Sequence, residues 1–481
     1  QGTQAACSCS SFARALTGPL RHQTDRLDVQ PSGDSSSVSN RGVIGPPTSA
    51  MGLTTGRIIR YGLLAALACP TPQSAAQEPD AAEDWLRLAI NRLCGPETLW
   101  GLEAQQELPG AWLISEEPED PTRSTNRIVQ RFALPSGEEL HIIRVQPQGR
   151  LRRFTAEVHR PVEGQLRPVA QAMADGACNI VAGRRIVRHP SSPEVTLEQL
   201  DSDLSTVKWS ETLQTAWPAG NDPGGPRVAL VDSGLAYDLD IFRNRLARGP
   251  DGKPLGFDFW DNDPWPYDGD VSRNAFQPIR HGSAVASIVV REAPTAALVP
   301  LRYPRPDMSR MGEIVNHAAA AGARIIAMPL GSRKKEDWVT FKSAMQTNPQ
   351  MLAIVSAGNN GRDLDEQPLW PASFGLSNVI VVTSSDAFGR LAPGSNWGRT
   401  TVDIMLPAEN VPVIDFRGAK VRASGTSYAV PRLASLAARI LAEEPELTTD
   451  ELKARLFDRA TPSPYEGDVV AVGWIPDPLR K

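Results

Sequence analysis

The chain has 481 residues, enough for two or three domains with at least one large core. At 41% hydrophobic and 22% charged, with a formal net charge of −5, it has the composition of a globular chain. The mild acidity, without a basic stripe interleaved with aromatics, argues against a nucleic-acid partner, and no apolar run reaches the roughly 18 residues of a membrane span.

Residues 1–50 begin with Gln1 and include "SGDSSSVSN". They read as a disordered leader or upstream extra sequence, because so little apolar surface cannot repay ordering. From Met51 the pattern becomes basic (Arg57, Arg60), then apolar ("YGLLAALA"), then small (Ser74-Ala75-Ala76). That order predicts a secretory signal over 51–76 with Met51 as translation start; a short buried helix is the alternative. A lipid on Cys69 is the lesser variant, since Ala66 stands where such signals carry Leu. Cleavage before Gln77 would leave Cys94 and Cys178 as an even pair in an oxidising compartment, either bridged or as two buried thiols. A secreted or periplasmic location is therefore expected.

Residues 77–200 read as a small α+β domain. "DAAEDWLRLAINRLC" has helical apolar spacing, while "QRFALPSGEELHIIRVQPQG" and "LRRFTAEVHRPV" read as strands joined by turns. His141 and His159 stand isolated in it, as sheet-surface residues. The Pro-, Gly- and Asp-rich stretch 201–226 reads as a linker. Over 227–475, "RVALVD", "AALVPLRY", "ARIIAMPL", "MLAIVSAG" and "VIVVTSS" are continuous apolar runs, as expected of parallel strands covered on both faces. The helical stretches "GSAVASIVVRE", "MGEIVNHAAAAG" and "EDWVTFKSAMQT" alternate with them. The fold class is therefore α/β, a doubly wound, mostly parallel sheet preceded by the α+β domain, with active groups expected at the carboxyl ends of the strands. Met308, Met311, His317 and Met345 at helical spacing read as packing residues.

Four polar residues fall at strand–helix junctions. Asp232 ends "RVALVD" and Asn359 follows "MLAIVSAG"; each also reads as a turn residue. His281 opens a small-residue helix, where a helix-terminal hydrogen bond is the alternative. Ser427 in "RASGTSYAVP" opens another, as a cap or a nucleophile, with Pro431 expected in its first turn.

Together "VALVDSG", "HGSAVASIV", "SAGN" and "SGTSYAVP" resemble the motifs of the subtilisin-like (subtilase) serine peptidases, whose Asp…His…Ser order is the one seen here. The likeness extends over about 205–475, through "GFDFWDNDPWP", "APTAALVPLR" and "LAPGSNWG". It implies a serine endopeptidase acting on protein or peptide substrates, with Ser427 as nucleophile, His281 as base, Asp232 orienting it and Asn359 at the oxyanion. It also implies a P1 pocket walled by Pro329, Leu330, Gly331, Ser356, Ala357 and Gly358. Leu369 and Trp370 at its base suit medium-sized apolar residues. The N-terminal block would be a removable propeptide or an accessory domain. Ser283, Ala284 and Ser287 depart from the family's histidine motif by small-for-small changes. No cofactor is expected. Asp258, Asp261, Asp263, Asp268 and Asp270 form a loop that reads as a solvated acidic segment, with a calcium site as the lesser reading. The alternative function is a catalytically silent subtilase-like fold used for binding or as a scaffold.

Overall fold

The computed structural model describes residues 81–118, 126–162, 164–463 and 469–480, so the leader and signal readings over 1–50 and 51–76 lie outside the described residues. Helix α1 (Ala82–Leu93) places Trp85, Leu86, Ala89, Ile90 and Leu93 on one buried stripe, with Glu83 and Asp84 in the first turn where the helix dipole favours them. A short α2 (Gly101–Gln106) follows. Eight strands then form an antiparallel meander in sequence order: β1 (Trp112–Pro118), β2 (Arg127–Ala133), β3 (Glu139–Val145), β4 (Arg153–Val162), β5 (Gln165–Asp175), β6 (Ile180–Arg188), β7 (Val195–Leu200) and β8 (Val207–Gln214). Alternate residues Phe132, Leu140, Ile142, Phe154, Ala156 and Val158 share a buried core with α1. A disulfide joins Cys94, just past α1, to Cys178 in the β5–β6 turn, across 84 residues of sequence.

The stretch read as a linker, 201–226, requires correction. Strand β8 lies inside it and pairs with β7. Beyond β8, Trp217 stacks on Tyr237 at 4.1 Å, and the Tyr237 hydroxyl donates to the Thr215 carbonyl. The β-forming run "VKWSETLQ" is masked in the sequence by its Pro-, Gly- and Asp-rich flanks.

The second sheet is parallel throughout. Its strands are β9 (Arg227–Asp232), β10 (Phe257–Asp258), β11 (Ala297–Arg302), β12 (Ile325–Met328), β13 (Leu352–Ser356), β14 (Val379–Ser385) and β15 (Ile404–Pro407). A separate antiparallel hairpin, β16 (Val411–Ile414) and β17 (Lys420–Ala423), precedes the last helices, and β18 (Gly473–Trp474) closes the sheet in the order β10-β11-β9-β12-β13-β14-β15-β18. One face packs on the helix Gly282–Glu292 and the helix Thr426–Glu443 through Val285, Ile288, Val289, Leu433 and Ala437. The other packs on Met311–Ala320 and Val339–Thr347 through Met311, Ile314, Phe341 and Met345. Covered on both faces, every residue of β9 from Val228 to Asp232 is buried. In chain order we label the helices α3 (Asp240–Arg243), α4 (Gly282–Glu292), α5 (Met311–Ala320), α6 (Val339–Thr347), α7 (Thr426–Glu443) and α8 (Thr449–Phe457). The chain leaves β9 to β11 on one side and β12 on the other, which makes the carboxyl end of β9 a topological switch point.

Candidate active site

Asp232 is the last residue of β9 and 1% exposed. Both its carboxylate oxygens lie 2.8 Å from Nδ1 of His281, and Oδ1 also accepts from the Ser233 amide at 2.7 Å. His281 caps the start of α4, with its side chain 28% exposed. Burial works to lower its pKa. The charge and hydrogen bond of Asp232, joined by the charge of Asp268, outweigh that and hold it above the ordinary 6.5. The close seating of α4 requires glycine at 282, since a Cβ there would fall 1.9 Å from the Gly234 carbonyl oxygen.

Asp268 is the residue that sequence reasoning missed, because it sat among the acidic-loop residues. It is fully buried. Its Oδ1 accepts from the Ser233 hydroxyl at 2.6 Å and the His281 amide at 3.2 Å, and Oδ2 accepts from the Ser283 amide at 2.9 Å. Ser233 Oγ in turn accepts from the amides of His281 and Gly282. The otherwise orphaned N–H groups at the start of α4 are thus satisfied by a buried carboxylate and hydroxyl. Nothing local marks Asp268, which lies 13 residues before His281 in sequence.

Ser427 is the second residue of α7, and the ring of its neighbour Tyr428 lies 5.8 Å from that of His281. Among the described residues no hydrogen bond joins the Ser427 hydroxyl to His281. Such bonds are often long until substrate binds. Asn359, exposed just past β13, accepts from the Thr426 amide through Oδ1 at 2.9 Å. Its Nδ2 and the Ser427 amide have no partner among the described residues, which leaves two donors free side by side at a helix N-terminus. Gly425 makes this approach with a φ of +123°, and a Cβ there would sit 3.2 Å from Asn359 Oδ1. Pro431 corrects an expectation: it occupies the sixth position of α7 and so falls in the second turn, where its missing N–H leaves the Ser427 carbonyl without a helical donor.

The expected pocket residues come from three segments. Pro329, Leu330 and Gly331 follow β12, Ser356 ends β13 ahead of Ala357 and Gly358, and Leu369 and Trp370 approach from a later loop. Trp370 and Ser332 exchange backbone hydrogen bonds of 2.8 and 2.9 Å. A Cβ added to either Gly331 or Gly358 would lie 3.0 Å from Leu369 Cδ2, so the Leu369 side chain spans the space between these two glycines.

The acidic loop corrects the expectation of a solvated segment: Asp258, Asp268 and Asp270 are buried, and arginines from outside the loop pair with Asp258 and Asp261. Arg302, 6% exposed, bonds Asp258 at 2.7 Å and Asp261 at 2.8 Å, and Arg167 of β5 reaches Asp261 at 2.6 Å. Asp270 accepts from the Tyr303 hydroxyl. Asp263 accepts from the Trp265 amide, and burial beside Asp258 and Asp261 pushes its carboxyl up to about 6. Among the described residues no group of three or more His, Cys, Asp or Glu is arranged to hold a metal. In the N-terminal sheet, His141 and His159 are not isolated. Antiparallel register stacks their rings at 3.8 Å, each bonded to a glutamate of its own strand.

A model of the subtilase family matches residues 224–474. The chain is 29% identical over 246 residues to the "Thermophilic serine proteinase" of Bacillus sp. (strain AK1), covering 47% of this chain and 55% of that protein. It is 27% identical over 300 residues to the "Thermostable alkaline protease" of Halalkalibacterium halodurans, covering 58% and 74%. It is also 27% identical over 248 residues to the "Halolysin-like extracellular serine protease Nep" of Natrialba magadii, covering 48% and 43%. The matched region thus spans about half the length of the first and third of these relatives. With the family model covering more than half of its residues, the chain belongs to the subtilase family of serine peptidases.

Proposed function

We propose that the chain is an exported serine endopeptidase that hydrolyses protein or peptide substrates with Asp232, His281, Ser427 and Asn359. The observation that carries the proposal is the Asp232–His281 pair: a buried carboxylate places both oxygens 2.8 Å from Nδ1. That contact leaves Nε2 as the nitrogen that takes a proton. In this reading Ser427 Oγ attacks the substrate carbonyl while Nε2 takes its proton. Asp232 holds the imidazole in the required tautomer and stabilises the imidazolium. The same nitrogen then delivers the proton to the leaving amine, and water repeats the sequence on the acyl-enzyme. Negative charge developing on the carbonyl oxygen meets the Asn359 amide and the Ser427 N–H, the two donors left free at the start of α7.

The Leu369 side chain between Gly331 and Gly358 supports a shallow P1 pocket that favours small or medium apolar residues. The Cys94–Cys178 bridge supports an oxidising location, outside the cytoplasm. The Arg302 guanidinium supports chemistry and folding without calcium at the acidic loop, because it supplies the cation there. The test is hydrolysis of an unfolded protein such as reduced casein, with product termini read by mass spectrometry. Internal cleavage by the parent and none by Ser427→Ala is expected; equal cleavage by both would assign the activity to a contaminant.

A further inference from the structure

We propose that Glu211, on β8 of the N-terminal sheet, is a positioning residue for His281, and that this sheet is therefore a working part of the peptidase. The inference rests on the peptidase reading and concerns the same site. Glu211 divides its carboxylate between two arginines of the other domain. Oε1 accepts from Arg280 Nη2 at 2.6 Å, and Oε2 accepts from Arg417 Nη2 at 2.9 Å. Arg280 immediately precedes His281. Arg417 lies in the β16–β17 turn, on the hairpin that runs directly into Gly425, Thr426 and Ser427. Both guanidinium groups pack on the ring of Phe416, at 4.7 and 4.8 Å from its centroid. One carboxylate thus clasps the segment that presents the base to the segment that presents the nucleophile.

The clasp reaches inward as well. Arg280, with its side chain 7% exposed, also donates through Nη1 to the Asp268 carbonyl. The carboxylate of that same Asp268 holds the amides of His281 and Ser283. Contact therefore runs from β8 through Arg280 and Asp268 to the first turn of α4. With Glu211 removed, a buried guanidinium would lose its charged partner. It could recover one only by moving, and His281 is bonded to it through a single peptide link.

This geometry has a consequence for processing. A propeptide must leave, but β8 is an integral strand of its sheet and the segment after it is held by Trp217 and Tyr237. The proposal accordingly has the sheet retained in the active form.

The test compares Glu211→Ala, Glu211→Gln and a control, Arg167→Ala. The control removes a different ion pair between the same two domains, Arg167 with Asp261, which shares no residue with the Glu211–Arg280–Arg417 clasp. Two readouts are used: turnover of a peptide substrate, and amide hydrogen exchange of residues 278–285, which needs no activity. Glu211→Ala should lower kcat about tenfold with KM unchanged, since a misplaced catalytic group costs rate rather than binding. It should also speed exchange at 278–285. Glu211→Gln, which keeps one acceptor oxygen, should recover part of both, and Arg167→Ala should change neither. Unaltered exchange at 278–285 in Glu211→Ala, or an equal effect of Arg167→Ala on that segment, would overturn the proposal. A parent inactive on every substrate would defeat the peptidase reading while leaving the exchange result to decide the clasp.

Discussion

Leu369→Ala offers the sharpest perturbation of specificity. The Leu369 side chain reaches within 3.0 Å of the Cβ positions of both Gly331 and Gly358, and in the proposed P1 pocket it would form the floor between two walls that have no side chains of their own. Truncation removes three carbons and opens room for about three methylene-sized groups of a longer substrate side chain. At about 0.8 kcal/mol per buried CH₂ this gives about 2.4 kcal/mol of new transition-state binding for Phe over Ala at P1. Converted at 1.36 kcal/mol per factor of ten, the Phe/Ala ratio of kcat/KM should rise about fiftyfold, or about tenfold if the new pocket is filled imperfectly. The assay is a panel of peptide p-nitroanilides that differ only at P1. An unchanged ratio in a variant that still turns over the Ala substrate would refute the placement of Leu369 at the pocket floor.

Asp268→Asn should move the acidic limb of kcat/KM to lower pH. Of the two carboxylates that raise the His281 pKa, Asp232 would remain and the charge of Asp268 would be gone, so the base form would survive further into acid. A pH–rate profile with the limb unmoved or shifted upward would contradict this. Replacing both Cys94 and Cys178 by Ala should cost about 4.5 kcal/mol in the chain-entropy account of an 84-residue closure, read as a lower denaturant midpoint for the N-terminal sheet. An unchanged midpoint would show the bridge to be dispensable. Chelation with EDTA should leave the melting temperature unchanged, because Arg302 and Arg167 already pair with Asp258 and Asp261. A drop reversed by added calcium would show a cation site the aspartates still serve. Asp263→Asn should raise stability at pH 8 relative to pH 5. A carboxyl held near 6 in the folded state favours folding while protonated and loses that contribution as pH rises through 6. Equal effects at both pH values would refute this.

The parts of the molecule legible in sequence are those whose cause is local. Strands β9, β11, β12, β13 and β14 are covered on both faces, so each leaves an unbroken apolar run. Asp232, His281, Asn359 and Ser427 sit at junctions between such runs and helices, where a few neighbouring residues carry a motif. What stayed hidden depends on partners far along the chain. Arg302 meets Asp258 across 44 residues, and Arg280 meets Glu211 across 69. No spacing rule encodes these pairs, so the aspartates read only as an acidic loop and Glu211 as one polar residue of a stretch whose Pro-, Gly- and Asp-rich flanks hide β8. Pro431 lies a few residues from its expected place in the helix, because the register of a helix start is fixed by its cap geometry, here Gly425 at positive φ.

The reactivity of Ser427 decides most directly whether this site is catalytic. Treatment with a fluorophosphonate, followed by peptide mass mapping, should place a single adduct on Ser427. Labelling should be absent in Ser427→Ala, fall steeply in His281→Ala and Asp232→Asn, and drop roughly two to three orders of magnitude in rate in Asn359→Ala. An adduct on another residue, or none on Ser427 in the folded protein, would contradict the assignment and favour the catalytically silent fold.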